Sequence, residues 1–291
     1  MTLSIAWVRK VGNVEELVVA TDSRVTSGKA WDCCPKIKIL SRQDSVMCFK
    51  GETEYAYPMM EQVGYAIESY PKTASRALDI TDTRGHILRV ISKMREFIHN
   101  DIEPYKKFVP EPPETNFLLA GYSWKMNKFY IWELLFSKKE NKFIYRVQNT
   151  IMKNKIGLIV DAANHRKEKN DVLSTNTIRK RIYDKLASAG KTDKDGFDME
   201  PFEILRDIIK ENEDWAIGGS PQIVKVYKHM NVMPYAVFWP NRDSKQISFL
   251  GRPLLSYEQL PYLILDPDTL ETVPYKITND YLDINHDDGT F

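Results

Sequence analysis

The order in which two hydrophobic periodicities succeed one another limits most what this chain can fold into. Leu3-Ser4-Ile5-Ala6-Trp7-Val8 and Glu16-Leu17-Val18-Val19-Ala20 read as strands on either side of a hairpin loop at 10–14. Lys36-Ile37-Lys38-Ile39-Leu40 alternates polar with apolar, as a half-buried strand does, and 44–49 offers it a partner. The period then changes. Tyr55, Met59, Val63, Ala66 and Ile67 recur at helical spacing across 52–68, and Ile87, Leu88, Ile91, Met94, Phe97 and Ile98 do so across 84–99. Strands return at 116–122, 129–136, 143–147 and 156–160, followed by helical patterns at 177–187 and 201–210. Strands at 222–227 and 235–239 and a hairpin-like tail with 247–250 complete the order. Strands and helices in such blocks argue α+β rather than a doubly wound parallel sheet, and each helix pair can cover one face of a two-sheet sandwich.

Composition narrows the partners. Forty-one basic residues face 40 acidic ones, a formal charge of +1, which gives no electrostatic footprint for nucleic acid or an anionic membrane. No apolar run approaches the roughly 20 residues that span a bilayer. The N-terminus lacks a basic, apolar and small-residue signal pattern, so the expected location is the cytoplasm. Three cysteines, Cys33 and Cys34 adjacent, make a poor disulfide framework and fit a reducing compartment. Five scattered histidines suggest neither a metal site nor a histidine-based triad, and no phosphate loop is present, so no metal or cofactor is expected.

A different chemistry is available at the N-terminus. Removal of Met1 would leave Thr2 with a free α-amine, whose unperturbed pKa of about 8 suits it as base for its own hydroxyl. A lysine near that hydroxyl eases formation of the alkoxide, and an aspartate holds the lysine. Asp22, in Thr21-Asp22-Ser23-Arg24, and Lys36, in Pro35-Lys36-Ile37, can supply those groups. Taken singly, Asp22 also fits a polar turn, Lys36 a solvated strand position and Asp214 a helix end.

Thr21-Asp22-Ser23-Arg24 with Thr26 and Gly28, Pro35-Lys36-Ile37, and Asp214-Trp215-Ala216-Ile217-Gly218-Gly219 before the strand 222–227 occur in the order seen in one family. Over about 2–240, the sequence resembles a proteasome β-type subunit, an N-terminal nucleophile (Ntn) hydrolase of the stand-alone bacterial or archaeal type. The resemblance implies a four-layer αββα sandwich over 1–240, with 241–291 as a C-terminal extension packed on the same domain. It implies catalytic roles for Thr2, Asp22, Lys36 and Asp214, and an oxyanion hole from the backbone N–H groups of Lys50 and Gly51. It also implies a peptide or other amide substrate and a homo-oligomer of which a ring is one form, and it raises an ATP-dependent unfoldase as a partner that nothing in the sequence identifies. Three positions depart from the pattern. Lys50 stands where the family has its oxyanion-hole glycine, and Ile217 replaces a serine that fixes the amine. The segment 159–164 offers no serine, with Asp161 as the substitute acceptor. These departures keep open a catalytically silent ring or scaffold subunit, and a non-peptide amidohydrolase shares the same mechanism. The proline-rich 103–114, the polar 190–196 and the tail beyond 240 read as additions to the common core.

Overall fold

A computed structural model describes residues 2–26, 28–98, 114–147, 155–161, 173–192 and 195–275. The proline-rich segment up to 113, residues 162–164 and the acidic end from 276 lie outside the described residues. The first block forms β1 (Thr2–Val11), β2 (Val14–Thr21), β3 (Val25–Thr26), β4 (Ala30–Trp31), β5 (Ile37–Ile39) and β6 (Ser45–Gly51). Helices α1 (Thr53–Ser69), α2 (Pro71–Ala74) and α3 (Ile80–Met94) follow. Then come β7 (Thr115–Ser123), β8 (Lys128–Ser137), β9 (Lys142–Val147) and β10 (Ile156–Asp161), and the helices α4 (Thr175–Ser188) and α5 (Glu200–Lys210). The chain continues as β11 (Gln222–Tyr227), β12 (Val232–Phe238), β13 (Ile247–Phe249), β14 (Arg252–Pro253), β15 (Leu263–Leu265) and β16 (Thr272–Pro274).

These strands make a nine-stranded sheet in the order β10-β1-β2-β11-β12-β13-β14, with β15 and β16 branching from β12, a five-stranded sheet β5-β6-β7-β8-β9, and a two-stranded ribbon β3-β4. All named pairings are antiparallel except β12 with β15. Alternation along each strand separates two environments. Ala6, Val8, Val46, Cys48, Leu118, Ala120, Ile131 and Ile159 join one apolar cluster between the large sheets. Leu3, Ile5 and Trp7 point the other way and pack with Ile178, Ile182, Phe202 and Leu205 of α4 and α5. Met47, Phe49 and Leu119 likewise meet Met59, Val63, Ile87 and Ile91 of α1 and α3.

The expected four-layer αββα sandwich is corrected by the balance of these parts. Among the described residues 37% are strand and 28% helix, so several antiparallel sheets dominate and the helices are too few to form layers of equal weight. Helices α4 and α5 contact β10, β1 and β2. The same sheet runs on through β13 to β16, so residues beyond 240 add strands to it. The helical stripes correspond to α1, α3, α4 and α5, while the short α2 that starts at Pro71 was not anticipated; strand pairing at the C-terminal end enlarged the sheet.

Candidate functional site

The apolar gap between the sheets becomes polar at one end. Thr2 shares the face of Ala6 and Val8, and Asp161, its register partner on β10, shares the face of Ile159. Lys50 continues the face of Val46 and Cys48, and Asn116 that of Leu118 and Ala120. Four polar residues from four strands therefore look into the same end of one gap.

Asp22 anchors this end. Its Oδ1 accepts from the Leu3 backbone N–H at 3.1 Å, and its Oδ2 accepts from Arg24 N at 3.1 Å and Gly218 N at 3.2 Å. The Lys36 ammonium donates to both oxygens at 2.9 Å. Both side chains have no solvent exposure. Burial draws the Lys36 pKa below lysine's ordinary 10.5, while the negative charge of Asp22 opposes that fall. Asp161 and Cys34 also favour the ammonium, more weakly. The ion pair thus lies beside the peptide that follows Thr2, which is itself buried.

The backbone around the pair is held by a residue the sequence reading passed over. Gln222 Nε2 donates to the carbonyls of Cys34 (2.8 Å) and Asp22 (3.3 Å), and its Oε1 accepts from Lys36 N at 3.1 Å. One glutamine thereby joins both halves of the ion pair. A lone polar residue opening a strand gives no sequence signal for this. Ser23 adds a second tie, donating to Asp32 O at 2.7 Å and accepting from Ser220 N at 2.8 Å. Gly219 has φ +74° and its missing Cβ would overlap Ser23 Oγ, so glycine is required for that approach. Arg24 makes a two-pronged pair with Asp32 and donates to Trp215 O at 2.8 Å.

Asp214 is buried and its Oδ1 accepts from Ala216 N at 2.9 Å, shaping the turn that brings Gly218 onto Asp22. Ile217 is buried in the core shared with α4 and α5. Lys50 reaches across the gap and donates to Val160 O at 3.1 Å. Its N–H and that of Gly51 face opposite ways. Tyr122 N donates to Asp44 O, so even-numbered residues of β6 bond toward β7 and odd-numbered ones toward β5. The Gly51 N–H therefore turns to the side from which Lys36 approaches. Gly51 has φ +91°, and a Cβ there would fall on the Glu114 carbonyl oxygen.

Two cavities open at this end. One of about 550 Å³ is bordered by Thr26, Gly51 and Asp161, the other of about 490 Å³ by Glu133, Arg146 and Arg179, and Lys50 and Asn116 border both. Among the described residues no group of three His, Cys, Asp or Glu side chains could hold a metal. No described helix is long and apolar enough to cross a membrane.

No protein family's model matches the chain, and no curated protein matches it. Among solved structures it is similar to a Gly-1 mutant of Anbu from Hyphomicrobium sp. strain MC1, with 13% identity, a TM-score of 0.49, and coverage of 80% of this chain and 85% of that one. A second structure of Anbu from the same strain gives 12% identity and a TM-score of 0.49, covering 79% of this chain and 84% of the other. The resemblance to a proteasome β-type subunit is corrected accordingly. Identity at this level, with antiparallel sheet outweighing a few helices, does not make the chain a member of that family.

Proposed function

We propose that the chain is an N-terminal threonine amidohydrolase that becomes active when Met1 is removed, with a peptide as the first substrate class to test. The observation that carries the proposal is the fully buried Lys36–Asp22 pair, clamped to the backbone N–H of the residue after Thr2. A buried lysine with a lowered pKa is a candidate functional group rather than a solvated one. In the proposed reaction the Thr2 hydroxyl attacks the amide carbonyl and its proton passes to the free α-amine, directly or through water. Lys36 stabilises the developing charge on the threonine oxygen, and Asp22 keeps the ammonium in place. The Gly51 N–H receives the oxyanion, Lys50 N–H being committed to the β6–β7 ladder. The amine then protonates the leaving nitrogen, and water hydrolyses the ester. Asp161, opposite Thr2 in the register, is the proposed acceptor for the ammonium form of the amine. Asp214 acts by shaping the turn that holds Gly218 against Asp22.

The test is hydrolysis of a fluorogenic peptide panel by protein whose intact mass shows loss of Met1, beside the Thr2→Ala variant. Turnover confined to the threonine form supports the proposal; undiminished turnover by the variant contradicts it. A catalytically silent scaffold is the second reading, favoured by the apolar burial of Ile217 behind the site. It predicts that Thr2 stays unreactive even after Met1 is removed. We also propose self-association, supported by exposed aromatic side chains such as Trp31 and Trp215. Light scattering that returns a monomer at working concentration would remove that part.

A further inference from the structure

A second pair of nucleophilic side chains stands outside the proposed reaction. Cys33 and Cys34 follow the short β3–β4 ribbon and lead, through Pro35, to Lys36. Cys33 is exposed and Cys34 half-buried, whereas Cys48 is sealed in the core, where burial pushes its thiol up. Ser23 holds the backbone on both sides of Cys33. Its hydroxyl donates to Asp32 O at 2.7 Å, and its carbonyl accepts from Cys34 N at 3.0 Å. Gln222 continues the clamp by bonding Cys34 O and Lys36 N. The Cys34 thiol lies within electrostatic reach of Cys33, the Tyr57 hydroxyl and Lys36. Burial and Cys33 hold it above a cysteine's ordinary pKa, while Tyr57 and Lys36 pull it down. Cys33, at the surface, is the thiol that an outside reagent meets first.

Adjacent cysteines make an unusual disulfide. A trans peptide sets neighbouring Cα atoms about 3.8 Å apart, below the roughly 4.4–6.8 Å that ordinary disulfides span. Closing the ring must distort the peptide between them, and that peptide carries the Cys34 N–H bonded to Ser23. A disulfide under such strain is readily reduced, which is the property of a regulatory one.

We propose that Cys33–Cys34 is a thiol modification site, which a small-molecule disulfide converts to a reversible vicinal disulfide that loosens the backbone clamp on Lys36. The Cys33 thiolate attacks one sulfur of the reagent, whose S–S bond breaks and expels a thiolate. Cys34, giving its proton to solvent, then attacks the Cys33 sulfur and expels the second thiolate. Two electrons pass from the cysteines to the reagent, and two protons pass to its thiols. The effect on catalysis rests on the role proposed for Lys36. Formation of the ring and its effect on the backbone do not.

The experiment incubates the full-length protein with oxidised glutathione and follows intact mass, amide hydrogen exchange and peptide turnover. The expected product is lighter by two hydrogens, carries no glutathione, and returns to its starting mass in dithiothreitol. Exchange should quicken at the Cys34 and Lys36 amides and stay unchanged along the β7–β8 ladder. Turnover should fall by about tenfold or more on oxidation, as for a misplaced catalytic group, and recover on reduction. Cys33→Ser should keep the basal turnover, form no ring and hold its exchange pattern in the oxidant. Thiols that stay free, or a glutathione retained in place of the ring, would overturn the inference. So would a ring that leaves both amides protected or turnover unchanged. Absence of turnover in the reduced protein would overturn the proposed activity, and the mass and exchange results would then decide this inference alone.

Discussion

At the scale of single residues, the decisive feature is a charge pair with no solvent-exposed surface. Two buried ions are stable together because the carboxylate also accepts three backbone N–H groups, and removing one partner strands the other. Lys36→Met should therefore lower unfolding free energy by about 3–5 kcal/mol in urea titration. The Asp22→Asn/Lys36→Met double variant should lose less than the sum of the two single variants, because each single change strands a buried charge and the double change strands none. The same burial gives a pH signature. Activity should rise as the Thr2 amine loses its proton, near pH 8 if unperturbed. It should fall again as Lys36 loses its proton, and because burial lowers that pKa the alkaline limb should lie below 10.5. A pH profile of kcat/KM checks both limbs, and a rate that stays flat above 10.5 would contradict the role given to Lys36. Gly51 offers a third residue-level test. Alanine there must hold a positive φ and displace the Glu114 carbonyl, a strain of about 1–3 kcal/mol. Gly51→Ala should lower kcat more than it raises KM, since the N–H it moves is proposed to act on the transition state.

At the scale of elements, the site depends on joints between strands more than on any helix. Gln222 ties the start of β11 to the segments that carry Asp22 and Lys36, so a change at one strand end is felt on two others. Gln222→Leu should reduce activity by at least tenfold and destabilise the fold by roughly 1–3 kcal/mol, the penalty for buried groups left unpaired. Gln222→Glu should not restore activity, because its carboxylate cannot donate to the Asp22 and Cys34 carbonyls. Much of this architecture could be read from the sequence. The pairing of Asp22 with Lys36 was legible because a carboxylate that holds a lysine near an N-terminal amine forms a recognisable chemical set. The helical stripes around 52–68 and 201–210 were visible because their apolar faces repeat at 3.6 residues. Gln222 was invisible because its function comes from three contacts far apart in sequence. The opposite directions of the Lys50 and Gly51 N–H groups were hidden for a similar reason, since only the ladder to β5 and β7 fixes them.

At the scale of the whole molecule, strand pairing carries the fold beyond what the pattern of helices suggested. The four-layer expectation gave helix pairs equal standing with sheets, but β12 gathers β11, β13 and β15 around it and the sheet grows at the C-terminal end. Ser220 Oγ, beside the glycine pair, meets Ser248 of β13 within hydrogen-bond distance and donates to Gly251 O at 3.2 Å. The chain beyond 240 is thus joined to the turn that holds Asp22. Truncation at 240 should uncover Ala236 and Val237, which pair with β13 and β15, and should yield aggregated or poorly folded protein by size-exclusion chromatography. A monodisperse, stable truncation would show that these strands are dispensable.

The central claim concerns Thr2, and intact mass after incubation with a threonine-directed β-lactone tests it most directly. The account predicts loss of Met1 and a single covalent adduct on Thr2, absent from Thr2→Ala and slowed by Lys36→Met. Complete removal of Met1 with no adduct on the threonine form would contradict it.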